Sequence, residues 1–165
     1  MVAKLLSTPI GKKLGMALTG LVLYSFLIGH LAGNLQLFAD DGGTAFNTYA
    51  EFMISNPLLV PTEFVLLGVL VLHVWFAASL TRLSRQAKPQ GYAVRQAVGG
   101  RSLASRTMIW SGSTILIFLV IHIRTFKFGQ TGEGGLFALV ADTFRQPGWA
   151  AGYVVVMTVL GFHLW

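Results

Sequence analysis

Gly20–Phe38 reads GLVLYSFLIGHLAGNLQLF, an apolar run with one imidazole, His30, near its far end. A helix of about 20 such residues crosses a hydrocarbon core of about 30 Å. Inside lipid every backbone N–H and C=O needs a partner within the segment, so the run is a helix. An ionisable side chain is costly at that depth and needs a reason.

The same pattern recurs along the chain. Apolar runs at roughly Leu14–Phe38, Leu58–Leu80, Met108–Phe126 and Trp149–Trp165 each carry one of the four histidines: His30, His73, His122 and His163. Of the 165 residues, 54% are hydrophobic and 11% charged. A soluble domain carries roughly 25% charged residues, so this composition cannot cover a water-facing surface. The expectation is an all-α membrane protein, a bundle of four transmembrane helices forming one domain over residues 1–165. With no cysteine, the chain holds no disulfide, thiolate metal site or iron–sulfur cluster of its own.

The net charge of +6 is distributed by topology. Residues 1–13 hold Lys4, Lys12 and Lys13, and the link Arg82–Arg106 holds Arg82, Arg85, Lys88, Arg95, Arg101 and Arg106, with no acid in either. The six acids, Asp40, Asp41, Glu51, Glu63, Glu133 and Asp142, lie in or beside the other two links. The positive-inside rule places the N-terminus and the basic link in the cytoplasm. The basic charge therefore reports orientation and lipid or partner contact, not nucleic-acid binding.

The run after Lys13 is too long for the apolar region of a signal peptide, so it stays as the first span. The outer link Ala39–Pro57 has turn chemistry at Asp40-Asp41-Gly42-Gly43 and Asn56-Pro57. Between these, Thr44–Ile54 spaces Phe46, Tyr49, Ala50 and Met53 for a short surface helix. The Arg82–Arg106 link, with Lys88-Pro89-Gln90-Gly91 and Gly99-Gly100, reads as a loop. The second outer link, Gly129–Pro147, carries an amphipathic stretch, Leu136–Phe144. Pro147-Gly148-Trp149 then starts the fourth span. That span stops at Trp165 with no basic anchor behind it, so a further helix is expected beyond.

Depth decides between readings of the histidines. At 1.5 Å per residue, His30 and His122 each lie roughly 24 Å along outward-running spans. His73 and His163 lie roughly 20 Å along inward-running ones. The four therefore fall on two levels, His30 with His122 outside and His73 with His163 inside. Two imidazoles at one depth on two helices fit bis-histidine ligation of a haem iron. Gly29, Ala32 and Gly33 around His30 leave room for a macrocycle. A tetrahedral metal site needs all four at one level. Interhelical hydrogen bonding by scattered histidines and a haem-free, proton-coupled transporter remain as other readings.

Lys12–Gly20 (KKLGMALTG) with Gly29–Gln36 (GHLAGNLQ) resembles the first helix of the di-haem cytochrome b membrane anchor of succinate:quinone oxidoreductases (complex II) and quinol:fumarate reductases. Asn47–Met53 (NTYAEFM) resembles the outer link of that family, and Ala104–Gly112 (ASRTMIWSG) the start of its third helix. The resemblance spans essentially the whole chain. It implies two haems b, with His30 and His122 on the distal one and His73 and His163 on the proximal one. It also implies a bacterial cytoplasmic membrane, menaquinone as the exchangeable substrate, and a cytoplasmic flavoprotein (FAD) subunit with an iron–sulfur subunit. The chain itself then conducts electrons and holds quinone without oxidising succinate. Members continue to a fifth helix, absent here. Cytochrome b subunits of hydrogenases or formate dehydrogenases are the nearest alternative.

Quinone reduction consumes two protons, so a titratable group is expected near one haem. Glu51, which aligns with a carboxylate implicated in quinol chemistry in the family, is the first candidate and Glu63 the second. Haem propionates need cations or hydroxyl donors. Arg106, Ser105, Arg82, Arg124 and Lys127 are placed for this, and each cation equally fits a snorkelling interfacial charge. The tryptophans at 75, 110, 149 and 165 read as interfacial or packing residues.

Overall fold

The computed structural model describes residues 8–87 and 103–165, without the side chains of 103–106. The described residues form six α-helices: α1 (Pro9–Asn34), α2 (Thr44–Ser55), α3 (Leu59–Gln86), α4 (Leu103–His122), α5 (Gly135–Arg145) and α6 (Pro147–Leu164). No strand occurs among the described residues. The helices beginning at Pro9, Leu59 and Pro147, and the one over Thr107–Lys127, are long and apolar enough to span a membrane. The protein is an all-α, multi-pass membrane protein.

Helix ends follow local hydrogen bonding more closely than hydropathy. α1 begins at Pro9 rather than near Leu14, because the Thr8 hydroxyl accepts the Gly11 N–H at 3.0 Å and Pro9 fits the first turn. Lys12 and Lys13 are therefore helical. Lys12 Nζ sits 5.7 Å from the centroid of the Trp75 ring, within cation–π distance. The chain then tightens into a 3-10 turn, Leu35–Phe38. α3 runs past Leu80 to Gln86, carrying Arg82 and Arg85 on helix rather than loop. The basic link is thus helical at both ends. Its residues 88–102, with the Pro-Gln-Gly and Gly-Gly sequences expected in a loop, lie outside the described residues, as do 1–7.

The outer turn forms as its residues dictate. Gly42 and Gly43 take positive φ angles of 68° and 92°, a region that glycine enters without steric cost. The Asp41 carboxylate accepts the N–H groups of Gly43 (3.0 Å) and Ala45 (2.7 Å), capping α2.

The chain divides into two compact units. The first contains α1, α3 and most of α2. Here Gly11, Gly15 and Thr19 recur at every fourth position of α1, a stripe of small residues that lets helices approach closely in lipid. Gly11 and Gly15 are buried, and the Phe76 ring of α3 occupies the place where a side chain at 15 would stand. Tyr49 of α2 covers Gly33, so that a Cβ there would meet its ring at 2.6 Å.

The second unit contains α4, α5, α6 and the first turn of α2. α4 packs on α6, and α5 on α6. Asn47 joins α2 to the start of α5: its Nδ2 donates to the Gly134 carbonyl at 3.0 Å, and its Oδ1 accepts the Phe137 N–H at 2.9 Å. Asn47→Ala removes both bonds and should cost about 1–3 kcal/mol locally. Amide exchange at Phe137 is then expected to accelerate roughly 5- to 150-fold. Unchanged exchange would show that the clamp contributes nothing.

Large apolar side chains face outward along every span, Leu21, Val65, Val120 and Val154 among them. Among the described residues only Phe46 and Phe76 are buried large hydrophobics. That distribution suits a lipid solvent.

Candidate functional site

Each unit holds two histidines at two levels. In the first, His73 of α3 meets Thr19 of α1, Nδ1 to Oγ1 at 3.1 Å. His30 lies farther along α1, about 16 Å above Thr19 at 1.5 Å per residue. In the second, His163 of α6 meets Ser111 of α4, Nδ1 to Oγ at 2.9 Å. His122 again lies about 16 Å farther along α4. Within its own unit, His73 or His163 is the lower histidine, and His30 or His122 the upper one.

The two units repeat one arrangement in detail. A constant offset aligns Met16 with Met108, Thr19 with Ser111, Gly20 with Gly112, Phe26 with Phe118, and His30 with His122. The Thr19 hydroxyl contacts the carbonyls of Gly15 (2.8 Å) and Met16 (3.0 Å). The Ser111 hydroxyl contacts those of Thr107 and Met108, both at 3.1 Å. The residue after each hydroxyl is a glycine, and a Cβ there would stand 3.5 Å from His73 Cε1 or 3.2 Å from His163 Cε1. Each upper histidine has a phenylalanine one turn below, with ring centroids 5.5 Å apart for Phe26–His30 and 5.6 Å for Phe118–His122.

The units differ around the upper histidines. His30 is exposed on α1. His122 is half-buried, and its Nδ1 lies 3.0 Å from the Tyr153 hydroxyl of α6. Tyr153 in turn packs edge-on against Phe118 (4.9 Å) and Phe144 (4.7 Å). His122 also closes the regular part of α4. The next turn, Ile123–Lys127, is a π-helix, with Phe128 N–H bonding Ile123 O at 3.3 Å. Such turns concentrate at functional positions because they re-aim the side chains beside them. An apolar cleft of about 600 Å³ runs between α4 and α6, lined by Ile117, Phe118, Ile121, Trp149, Tyr153 and Val156 among others.

Comparison with protein-family models, curated proteins and solved structures finds no match to this chain.

The other candidate residues sit on several elements. Glu51 is exposed on α2, and Glu63 is half-exposed near the start of α3. Arg82 is exposed near the end of α3 and Arg124 in the π turn. Ser105 and Arg106 fall on α4, where their side chains lie outside those described. Among the described residues, no three His, Asp or Glu side chains gather as a metal-binding group. The role expected for Gly33 is corrected: its space is filled by Tyr49, so it seats α2 and is not clearance for a macrocycle. At Gly29 a Cβ would meet nothing within 4 Å.

Thr19, Ser111 and Tyr153 escape a reading by histidine spacing and hydropathy. A signal for the first two is present, since superposing residues 16–30 on 108–122 puts Thr19 and Ser111 in register.

The donor set suits haem. Imidazole is a common axial ligand of haem iron, and two such ligands complete its coordination. Each unit offers one imidazole at each level, and the lower ones already have their Nδ1 atoms engaged. In a haem site, Nε2 would be the nitrogen toward the iron.

Proposed function

We propose that the chain is the membrane-anchor cytochrome b of a succinate dehydrogenase or fumarate reductase. It carries electrons through two haems b between an iron–sulfur subunit and menaquinone. His30 and His122 would hold the iron of one haem, and His73 and His163 that of the other. The observation that carries this reading is the repetition of histidine placement: in both units a helix hydroxyl holds the lower histidine, the upper histidine lies the same number of residues beyond that hydroxyl, and a phenylalanine sits one turn before it. Scattered packing histidines have no reason to recur in register.

Bound haem supplies a one-electron store at each level. The chain does the rest. Its imidazoles would hold the irons, and the apolar spans would keep water from the lower level. Arg82, Arg124, Arg106 and Ser105 are the propionate partners in this reading. Glu51, or else Glu63, exchanges the protons that quinone chemistry needs. The basic ends of the spans face the cytoplasm of a bacterial cell, where a flavoprotein subunit and an iron–sulfur subunit dock.

The purified chain is expected to show a reduced-minus-oxidised b-type spectrum and two haems per polypeptide. With its soluble subunits it should pass electrons from succinate to quinone. A preparation without b-type haem would overturn the reading. A single haem per chain would overturn the two-level pairing.

A further inference from the structure

We infer that Thr19 and Ser111 are positioning residues for the lower histidines, each fixing the tautomer and ring plane of an axial imidazole through a hydroxyl tied to its own helix backbone. The inference rests on the haem reading above.

A hydroxyl has one proton to give, and a carbonyl can only accept. Thr19 Oγ1 lies within bonding distance of the Gly15 and Met16 carbonyls, so its proton goes there. The contact with His73 is then made by the ring, with Nδ1–H donating to the hydroxyl oxygen. Ser111 repeats the arrangement: two carbonyls take its proton, and its oxygen accepts from His163 Nδ1. With the proton on Nδ1, the lone pair sits on Nε2. Gly20 and Gly112 keep the helix surface open where the Cε1 edge lies against it.

Two consequences follow from the chemistry. The torsion that turns an imidazole about its own axis is broad and roughly two-fold, so a ring without this bond has two nearly equal orientations. The bond selects one. A ligating histidine that donates its other N–H is also a stronger base toward the metal, which favours the oxidised iron and lowers its potential.

The test uses the complete complex and compares Thr19→Val and Ser111→Ala with the hydroxyl-preserving Thr19→Ser and Ser111→Thr. Potentiometric titration and haem retention against an apoprotein acceptor are measured, and His30→Ala identifies the wave of the lower haem. Removing either hydroxyl is expected to shift the lower haem to a more positive potential and to weaken its retention about 10- to 100-fold. The upper haem should stay unchanged, and the hydroxyl-preserving variants should behave as wild type. If Thr19→Val fails to assemble, Thr19→Ser still reads out whether the hydroxyl suffices, and Ser111→Ala tests the second site independently. No shift in any variant would overturn the inference and leave the haem reading standing. Equal shifts of both haems would overturn it in favour of general packing. A wild-type complex without b-type haem would overturn both.

Discussion

On the proposed pairing, His30→Ala should leave a complex with one haem b, and His122→Ala should remove that same haem. His73→Ala and His163→Ala should each remove the other. The effect is all-or-none at each iron, since a bis-imidazole site that loses an axial ligand retains one bond where it had two. The measurement is a haem count with a redox titration of each variant, and the informative quantity is which wave disappears. Loss of the same wave in His30→Ala and His73→Ala would assign both ligands to one unit and overturn the pairing. The two histidines of each unit lie about 16 Å apart along the helix axis, too far to share an iron. The pairing therefore has a definite pattern to meet.

Gly15→Leu is expected to be the most damaging change outside the histidines. The Phe76 ring stands where the new Cβ would be, and Phe76 is one of the two large hydrophobics buried among the described residues. Overpacking of this kind costs about 1–3 kcal/mol. Expelling Phe76 adds the loss of its own packing, about 3–5 kcal/mol for a large aromatic. Even about 3 kcal/mol lowers Tm by roughly 6–12 °C in a chain of this size. Gly68→Leu is the control, because a Cβ at Gly68 meets nothing within 4 Å. Melting curves in detergent should separate the two variants. Equal loss in both would mean that bulk on any span is harmful and that the Gly15–Phe76 contact is not special.

How much of this was legible in the sequence depends on what each signal measures. Hydropathy counts apolar residues, and it found all four spans. It does not see hydrogen bonds, which is why Pro9 and Gln86 lie beyond the expected ends: the Thr8 cap starts α1 early, and arginines near the end of a span can still reach water. The Asp41-Gly42-Gly43 turn was legible because its glycines and carboxylate have one geometric use. Gly33 was misassigned because a small residue beside a histidine looks the same whether it makes room for a cofactor or for Tyr49. Only the position of α2 tells them apart. Thr19 and Ser111 stayed hidden for a related reason. A hydroxyl bonded back to its own helix is unremarkable within a span, and its partner histidine is more than fifty positions away in sequence.

The near absence of buried apolar side chains among the described residues has a calorimetric consequence. In lipid, the helices are held by close approach at glycine and by hydrogen bonds, not by the expulsion of water. Separating them there exposes apolar surface to acyl chains, a solvent of the same character. The heat-capacity change that bends the stability curve of a water-soluble protein comes from hydrating apolar surface. Here that contribution is small, so helix separation within the bilayer should have a nearly temperature-independent enthalpy. Stability should then fall almost linearly with temperature and show no low-temperature maximum.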